Sequence, residues 1–332
     1  MSIVEIAARA GVSKSTVSLV INNKPSIPSA TADRVRRAMK ELNYVPAPAS
    51  MRQGRRSKAA ESYRIGVVAD MPKAWMRSPL FVDVLHGVEE TVRRHDSTML
   101  LVHSSDPADY QRLYGAIDGV ILLGLNKSRE SLGALASVPC VALFGSTTAS
   151  LWVDRVVQDD TSIGAIAAQY FIDHGRRRVA VLSREGSAFE GRQATFRQVM
   201  EAAGGDVLAL DSESSVCVQS DEQYADTDIL GPIIDQMLEG HRRPDGLFLP
   251  ADLFAPAVYF LLIDRGIRPG IDIEIVTCNN ERSLLNALKP RPVAIDIHAR
   301  EIAQAAVDRL IWRINHPEEP RIVIMMQPDL VA

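Results

Sequence analysis

Residues 2–44 read SIVEIAARAGVSKSTVSLVINNKPSIPSATADRVRRAMKELNY and contain three helix patterns separated by a glycine and by a proline- and serine-containing loop. Ser2 and Glu5 are spaced as a capping box, in which the hydroxyl accepts from a free amide and the carboxylate reaches back. The first helix is expected to end at Gly11, because glycine readily adopts the turn that stops a helix. The start of the chain is therefore predicted to be helical.

The second pattern begins at Ser13, whose hydroxyl is placed to cap a helix. Its apolar positions are spaced by three and four, which puts them on one helix face: Val17, Val20 and Ile21. The third helix has the same spacing at Val35, Met39 and Leu42. Two short helices joined by a glycine turn, the second with polar residues at its start, predict a helix-turn-helix motif. The second helix of such a motif fits the major groove of DNA.

Charge is divided unevenly along the chain. Residues 1–58 contain 11 Lys and Arg against 3 Asp and Glu, a net charge of +8, whereas the whole chain carries −4, which leaves −12 for residues 59–332. A basic N-terminal region on an acidic body suits phosphate binding at one end, since neutralised phosphates release counterions. A solvated basic helix without a partner is the alternative, and the neighbouring helix-turn-helix pattern favours nucleic acid.

Length and composition limit the class of protein. A chain of 332 residues with 46% hydrophobic residues can hold a small head and a large core. Its three cysteines are too scattered for a disulfide framework or a close metal site, which indicates a reducing compartment. No apolar run approaches the roughly 20 residues of a membrane helix, and no signal-peptide pattern precedes the first helix. We therefore expect a cytoplasmic protein.

Behind the head, a proline-containing and then basic segment, 46–62, is predicted to be a linker. In the body, 63–332, apolar strand patterns alternate with helical ones, which indicates parallel sheets covered on both faces. Strands are expected at 65–69, 99–102, 120–123, 141–144, 179–182, 246–249, 273–276 and 293–297, and helices at 79–94, 161–174, 192–203, 254–264 and 300–313. So many units favour two doubly wound α/β lobes, one formed by about 63–157 and 293–319, the other by about 158–292 and 320–332.

Several short motifs resemble the lactose/galactose repressor (LacI/GalR) family. In the head, 1–45, they are Gly11-Val12-Ser13, Thr16-Val17-Ser18, Asn22, Thr31, Val35, Leu42-Asn43-Tyr44 and, just beyond, Pro46. Looser matches follow in order through the body: Ile65-Gly66-Val67, Asp118-Gly119-Val120, His174-Gly175-Arg176, Arg192 with Phe196, Asp252 with Ala255, and Pro328. The resemblance implies a homodimeric repressor that grips a palindromic operator. It also implies a periplasmic-binding-protein-like core that closes on a small effector, a sugar or a related metabolite.

By the same resemblance, the start of the second helix reads DNA. The positions that correspond to base-contacting residues are Lys14, Ser15 and Leu19. Lys14 can donate to guanine, whereas Ser15 can donate or accept and therefore distinguishes bases only weakly. Leu19 stands where the family often has an arginine, so it can only contact a thymine methyl group or make no base contact. Phosphate contacts are expected from Ser13, Thr16 and Asn22. Ser13 could instead serve only as a helix cap, and Thr16 could bond only its own backbone.

The linker departs from the family pattern. Family members usually have a short hinge helix with a leucine that wedges into the minor groove. If the segment is two residues shorter here, Met51 occupies the wedge position and Arg52 follows it; without a gap the position is Gln53. Met51 could also be an ordinary linker residue.

Five body residues are candidates for the effector pocket. Arg192 matches the family's pocket arginine, a forked donor for hydroxyls or carboxylates. Asp159 and Asp252 match aspartates that line or brace the pocket, although each could simply cap a helix. Asn279 stands where the family usually has a ligand-binding aspartate, which removes a charge. Phe81 could form an apolar pocket wall but is more typical of a core residue.

Other classes of function have weaker support. The sequence has no nucleophile elbow, glycine-rich phosphate loop or paired histidines at metal spacing, so neither an enzyme nor a metal or cofactor site is expected. A transport-type solute-binding protein would share the body but not the basic head. A regulator controlled by a partner protein instead of a small molecule stays open, because Asn279 weakens the expected pocket. The 104–118 span also leaves little room for a helix between the second and third strands.

Overall fold

The computed structural model describes residues 3–21, 28–42, 62–69, 73–103, 106–123, 129–144, 152–183, 189–211, 227–239 and 243–331. The chain divides into a small N-terminal unit within Met1–Glu61, the head, and a large unit that begins at Ser62, the core. No helix in these ranges is both long and apolar enough to cross a membrane.

Where the structure describes it, at 3–21 and 28–42, the head has three short helices around a small apolar core. They are α1 (Ile3–Ala10), α2 (Lys14–Ile21) and α3 (Ser29–Glu41). Between α1 and α2, Gly11 has a φ of +62°, and the amides of Gly11 and Val12 donate to the carbonyls of Ala8 and Ala7. This is a Schellman motif, which explains why a glycine ends the helix. The helices pack through Ile6, Ala7, Ala10, Val17, Val20, Ala32, Val35 and Ala38. The predicted capping box of Ser2 and Glu5 lies outside the described side chains.

The first lobe of the core is a six-stranded parallel sheet with the order β11-β5-β4-β3-β1-β2. Its strands are β1 (Arg64–Ala69), β2 (Thr98–His103), β3 (Gly119–Leu123), β4 (Cys140–Leu143), β5 (Asp154–Gln158) and β11 (Val323–Met326). Its helices are α4 (Lys73–Met76), α5 (Pro79–Arg94), α6 (Pro107–Leu113), a 3-10 turn (Glu130–Ser137) and α12 (Ala299–Asn315). The 104–118 span therefore does hold a helix, although one of only seven residues.

The second lobe is a six-stranded sheet with the order β12-β10-β9-β8-β6-β7, in which only β12 is antiparallel to its neighbour among the described strands. Its strands are β6 (Arg178–Ser183), β7 (Asp206–Asp211), β8 (Gly246–Phe248), β9 (Glu274–Cys278), β10 (Val293–Asp296) and β12 (Asp329–Val331). Its helices are α7 (Asp160–Asp173), α8 (Glu190–Ala202), α9 (Thr227–Glu239), α10 (Ala255–Asp264) and α11 (Arg282–Leu285), with a 3-10 turn at Asp252–Phe254.

The chain passes between the lobes three times, and two of the predicted boundaries need correction. β10 pairs with β9 in the second lobe, although 293–319 was expected in the first. β11 pairs with β5 in the first lobe, although 320–332 was expected in the second. The passages are therefore at 158–160, 296–299 and 326–329. The error arose because the edge strands β11 and β12 have no continuous apolar pattern: half of the β11 side chains face solvent.

Close packing of two helix pairs explains two glycines. A Cβ on Gly87 of α5 would lie 2.5 Å from the backbone oxygen of Arg300 in α12, and a Cβ on Gly164 of α7 would lie 2.2 Å from that of Arg192 in α8. Real Cβ atoms do not approach backbone so closely, so only glycine allows the two helices in each pair to touch. The α7–α8 contact fixes the start of α8, where Arg192 lies.

Candidate DNA-binding surface and interlobe cleft

The start of α2 is held by a local cap. The Thr16 amide donates to Oγ of Ser13 over 3.1 Å, and the two hydroxyl oxygens are 2.9 Å apart. Both side chains thus serve the helix end, as the sequence left open. The capped end leaves backbone amides directed outward, which is the geometry that binds phosphate oxygens.

Two of the three predicted base-contacting residues can be placed. Lys14 is exposed at the first residue of α2, and Leu19 is 36% exposed, while Val17 and Val20 are buried against the other helices. The side chain of Ser15 lies outside the described part, as do Asn22, Met51 and Arg52 altogether. Lys14 gives α2 one cationic donor, and Leu19 gives it one exposed apolar side chain for a base edge.

In the core, the polar candidates lie where parallel strands end, which is where ligand sites form in such sheets. Arg192 is the centre of the group, with 2% of the residue exposed. Its guanidinium donates to Oδ1 of Asp160 over 2.6 and 2.9 Å and to the carbonyl oxygen of Pro250 over 2.6 Å. It also approaches Sγ of Cys278 at 3.3 Å, a thiol whose pKa burial raises to about 12. The arginine charge is therefore balanced by Asp160.

Asp159 does not contact this arginine. Its carboxylate caps α7, accepting from the amide of Ser162 over 3.0 Å and from its hydroxyl over 2.7 Å. It also accepts from Nε2 of Gln327, on the third passage between the lobes, over 3.0 Å. Burial alone would raise the pKa of Asp159, but these hydrogen bonds together lower it. Asp159 thus joins two of the interlobe passages, while the neighbouring Asp160 faces Arg192.

Asp252 is completely buried at the end of β8. Its carboxylate accepts from the hydroxyl of Thr277 over 2.7 Å and from the amide of Glu281 over 2.5 Å. Burial raises the pKa of Asp252 to about 8, although both hydrogen bonds oppose the rise. The residue braces the loop after β9 and does not itself cap the following helix through its side chain.

Asn279 has a strained backbone and is buried, with 8% of the residue exposed. Its φ is +111°, a region that residues with a Cβ rarely adopt, and its amide donates to the carbonyl of Ile295 over 2.8 Å. Its side-chain amide donates to Oε1 of Glu281 over 3.3 Å. Strain of this kind gathers at functional sites, where the surroundings hold it in place. Asn279 therefore shapes the loop and positions a second carboxylate.

That second carboxylate, Glu281, was not among the predicted site residues. It is 2% exposed, and its Oε2 accepts from the amide of Leu80 in α5 over 3.0 Å, so a side chain of the second lobe reaches the first. Burial, and then the charge of Asp83, raise the pKa of Glu281. The only sequence signal was a third polar residue after Asn279 and Asn280, which also fits a surface turn.

Aromatic rings lie at the same interlobe boundary. Trp75 of α4 stacks on Phe189, just before α8, with ring centroids 6.0 Å apart and planes at 19°. The guanidinium carbon of Arg192 lies 5.0 Å from the centroid of Phe189. Phe81, in contrast, is buried in the apolar core around α5. The Trp75–Phe189 ring pair therefore lies between the lobes beside Arg192.

Comparison with known proteins gives matches along the chain. The model of "Bacterial regulatory proteins, lacI family" matches residues 2–47, and that of the "Periplasmic binding protein-like domain" matches residues 168–332. The HTH-type transcriptional repressor PurR of Vibrio vulnificus (strain CMCP6) is 27% identical over 342 residues, covering 100% of this chain and 97% of the relative.

Two solved structures have the same architecture. The transcriptional regulator CelR–cellobiose complex superposes with a TM-score of 0.67 at 22% identity, covering 100% of this chain and 98% of the other. The lac repressor dimer bound to operator and the anti-inducer ONPF has a TM-score of 0.67 at 17% identity, with the same coverage. At these identities the superpositions show a shared fold: a helix-turn-helix head and two parallel-sheet lobes.

Proposed function

The chain belongs to the LacI family of bacterial regulatory proteins, and we propose that it is a cytoplasmic homodimeric repressor that binds a palindromic operator under control of a small effector. The family consists of transcriptional regulators and not of enzymes. The main support for DNA binding is the capped helix-turn-helix with its exposed Lys14. The main support for effector control is the set of buried polar groups that the core brings together between its two lobes.

In the proposed complex, α2 enters the major groove. Lys14 and Ser15 contact base edges, Leu19 packs on a thymine methyl, and Ser13, Thr16 and Asn22 hold phosphates. Met51 and Arg52 then meet the minor groove between the half-sites. Two heads related by a two-fold axis read the same sequence in opposite directions, so the operator is palindromic.

Exposed apolar side chains on the core support a dimer. On α10, Phe260 is 61% exposed, and Ile263, three positions later on the same helix face, is 58% exposed. An exposed apolar patch of large side chains is typical of protein interfaces. In a two-fold dimer the same patch meets its own copy, which satisfies both subunits at once.

The effector is proposed to bind between the lobes among Arg192, Asp252 and Asn279, beside the Trp75–Phe189 ring pair. Solved neighbours include complexes with cellobiose and with ribose, which supports a sugar-like molecule. Arginine, carboxylate and amide groups together offer donors and acceptors to hydroxyl groups. Binding shifts the population of closed lobes, and the shift reaches the heads through the linkers.

Selection of bound sequences from random DNA, followed by footprinting, tests the DNA-binding part. We expect a palindromic site, and we expect Lys14→Ala to weaken that site by about 1–3 kcal/mol while binding to unrelated DNA falls much less. Lys40→Ala is the matched control, because it removes the same charge from the exposed end of α3. Absence of any sequence preference at low salt would refute the proposal.

Thermal-shift screening of sugars, polyols and nucleobases tests the effector part, because a ligand that binds the native state raises Tm. Arg192→Ala is expected to abolish the ligand response while operator binding persists. Arg176→Ala is the control, since Arg176 pairs with Glu274 inside the second lobe. A normal response in Arg192→Ala would exclude Arg192 from the pocket.

A further inference from the structure

The N-terminal end of α5 is completed by a residue of the other lobe. Ser78 caps the helix by accepting from the amide of Phe81 over 3.2 Å, and Pro79 has no amide to satisfy. The amide of Leu80 has the carboxylate of Glu281 as its acceptor. The first turn of a helix carries positive potential, so an anionic acceptor is favoured there. A free amide in the first turn of a helix is usually satisfied by a residue next to it in sequence. Here the acceptor for the Leu80 amide comes from the other lobe instead.

The second lobe holds Glu281 rigidly in this position. Its backbone amide donates to the buried carboxylate of Asp252, and its Oε1 accepts from the side chain of Asn279. The residue is almost fully buried, so water does not satisfy the carboxylate in place of these donors. A carboxyl group in such a place needs all its partners, because an unsatisfied buried polar or charged group is strongly unfavourable.

We propose that Glu281 is the positioning residue that holds the two lobes together, by capping α5 of the first lobe from the loop after β9 of the second. The inference rests on the proposed function for the role of the cleft. The two residues are 201 positions apart in the sequence, so the bond joins distant parts of the chain. Lobe separation breaks the Glu281–Leu80 bond, so this bond biases the equilibrium toward closure.

Exchange of the Leu80 amide with deuterium reports this bond directly. In Glu281→Ala we expect the amide to exchange about tenfold or more faster than in the unchanged protein, since hydrogen bonds to charged groups are among the strong ones. Small-angle X-ray scattering of the same samples should give a larger radius of gyration. In Glu281→Gln we expect an intermediate exchange rate, because one amide oxygen cannot replace both carboxylate oxygens.

The matched control is Glu274→Gln, at a carboxylate that accepts from Tyr170 and Arg176 within the second lobe. It should leave both the Leu80 exchange rate and the scattering unchanged. Because removal of a buried charge can raise stability, Tm is not the deciding quantity. Unchanged Leu80 exchange and unchanged scattering in Glu281→Gln and Glu281→Ala would overturn the proposal. If Glu281→Ala does not fold, the Glu281→Gln exchange rate decides alone. Neither readout involves DNA or an effector, so failure of the proposed function would be seen separately.

Discussion

Substitution of Gly164 by alanine tests how tightly α7 and α8 determine the position of Arg192. The added Cβ would lie 2.2 Å from the backbone oxygen of Arg192 and 2.8 Å from the backbone nitrogen of Phe196. Both are backbone atoms, so no side-chain rotation relieves the overlap. Helix α8 must move by roughly 1.3 Å or more to restore ordinary contact, since heavy atoms pack at roughly 3.5–4 Å.

Two opposing effects determine how much Gly164→Ala changes the free energy of unfolding. Overpacking of a well-packed interior costs about 1–3 kcal/mol, and more where backbone has to shift. Alanine returns roughly 1 kcal/mol through its better helix propensity. At a contact as short as 2.2 Å we expect the overlap to dominate, with a net loss of about 1–2 kcal/mol. For a domain of this size that corresponds to a fall in Tm of roughly 2–8 °C.

Calorimetry and urea unfolding measure this difference, and Gly231→Ala on α9 is the matched control. A Cβ on Gly231 would meet no atom outside its two chain neighbours closer than 3.7 Å. The helix-propensity gain is there reduced by the following Pro232, so stability should change by less than about 1 kcal/mol. The Gly164→Ala variant should also respond more weakly to effector, because movement of α8 lengthens the bonds from Arg192 to Asp160. Equal stabilisation by both substitutions would refute the packing explanation.

Three further predictions concern the ion cluster, the dimer and the DNA contact. Asp154 is fully buried and accepts from Arg313 and Arg309; burial alone would raise its pKa, but these bonds lower it overall. The ionised Asp154 therefore stabilises the fold fully above about pH 4, and this contribution is lost as the pH falls through the lowered pKa. In urea unfolding, Asp154→Asn should lower the free energy of unfolding by roughly 3–5 kcal/mol at pH 7 and by clearly less at pH 3. Phe260→Asp should convert a dimer to a folded monomer in sedimentation equilibrium, and an unchanged mass would exclude α10 from the interface. Leu19→Ala should weaken the preference for one A·T pair by about 1 kcal/mol in selected sites, and an identical site preference would show that Leu19 reads nothing.

The sequence predicted those elements whose side chains repeat on one buried face. Helix α5 has Phe81, Val88 and Val92 inside, and its observed bounds agree with the predicted 79–94. The central strands β1 and β3 are continuous apolar runs because sheets of this kind bury both faces. The edge strands β11 and β12 lack this signal, so the sequence did not show to which lobe the C-terminal strands belong.

The candidate site was harder to predict, because its contacts join distant parts of the chain. Arg192 could be proposed from its neighbourhood in sequence, but its pairing with Asp160 depends on how closely α7 approaches α8. Asp159 and Asp160 are adjacent, so no periodicity tells which one caps the helix. Glu281 acts on an amide 201 residues away, and only the three-dimensional arrangement brings them together.

The three passages of the chain between the lobes constrain which movements are possible. Asp159 joins the first passage to the third through Gln327, and His298 of the second lies 2.9 Å from Asp329 just after the third. Because the three passages are joined side by side, we expect the lobes to open and close by rotation about this shared connection. A change at the cleft would then be transmitted as a change in the angle between the lobes.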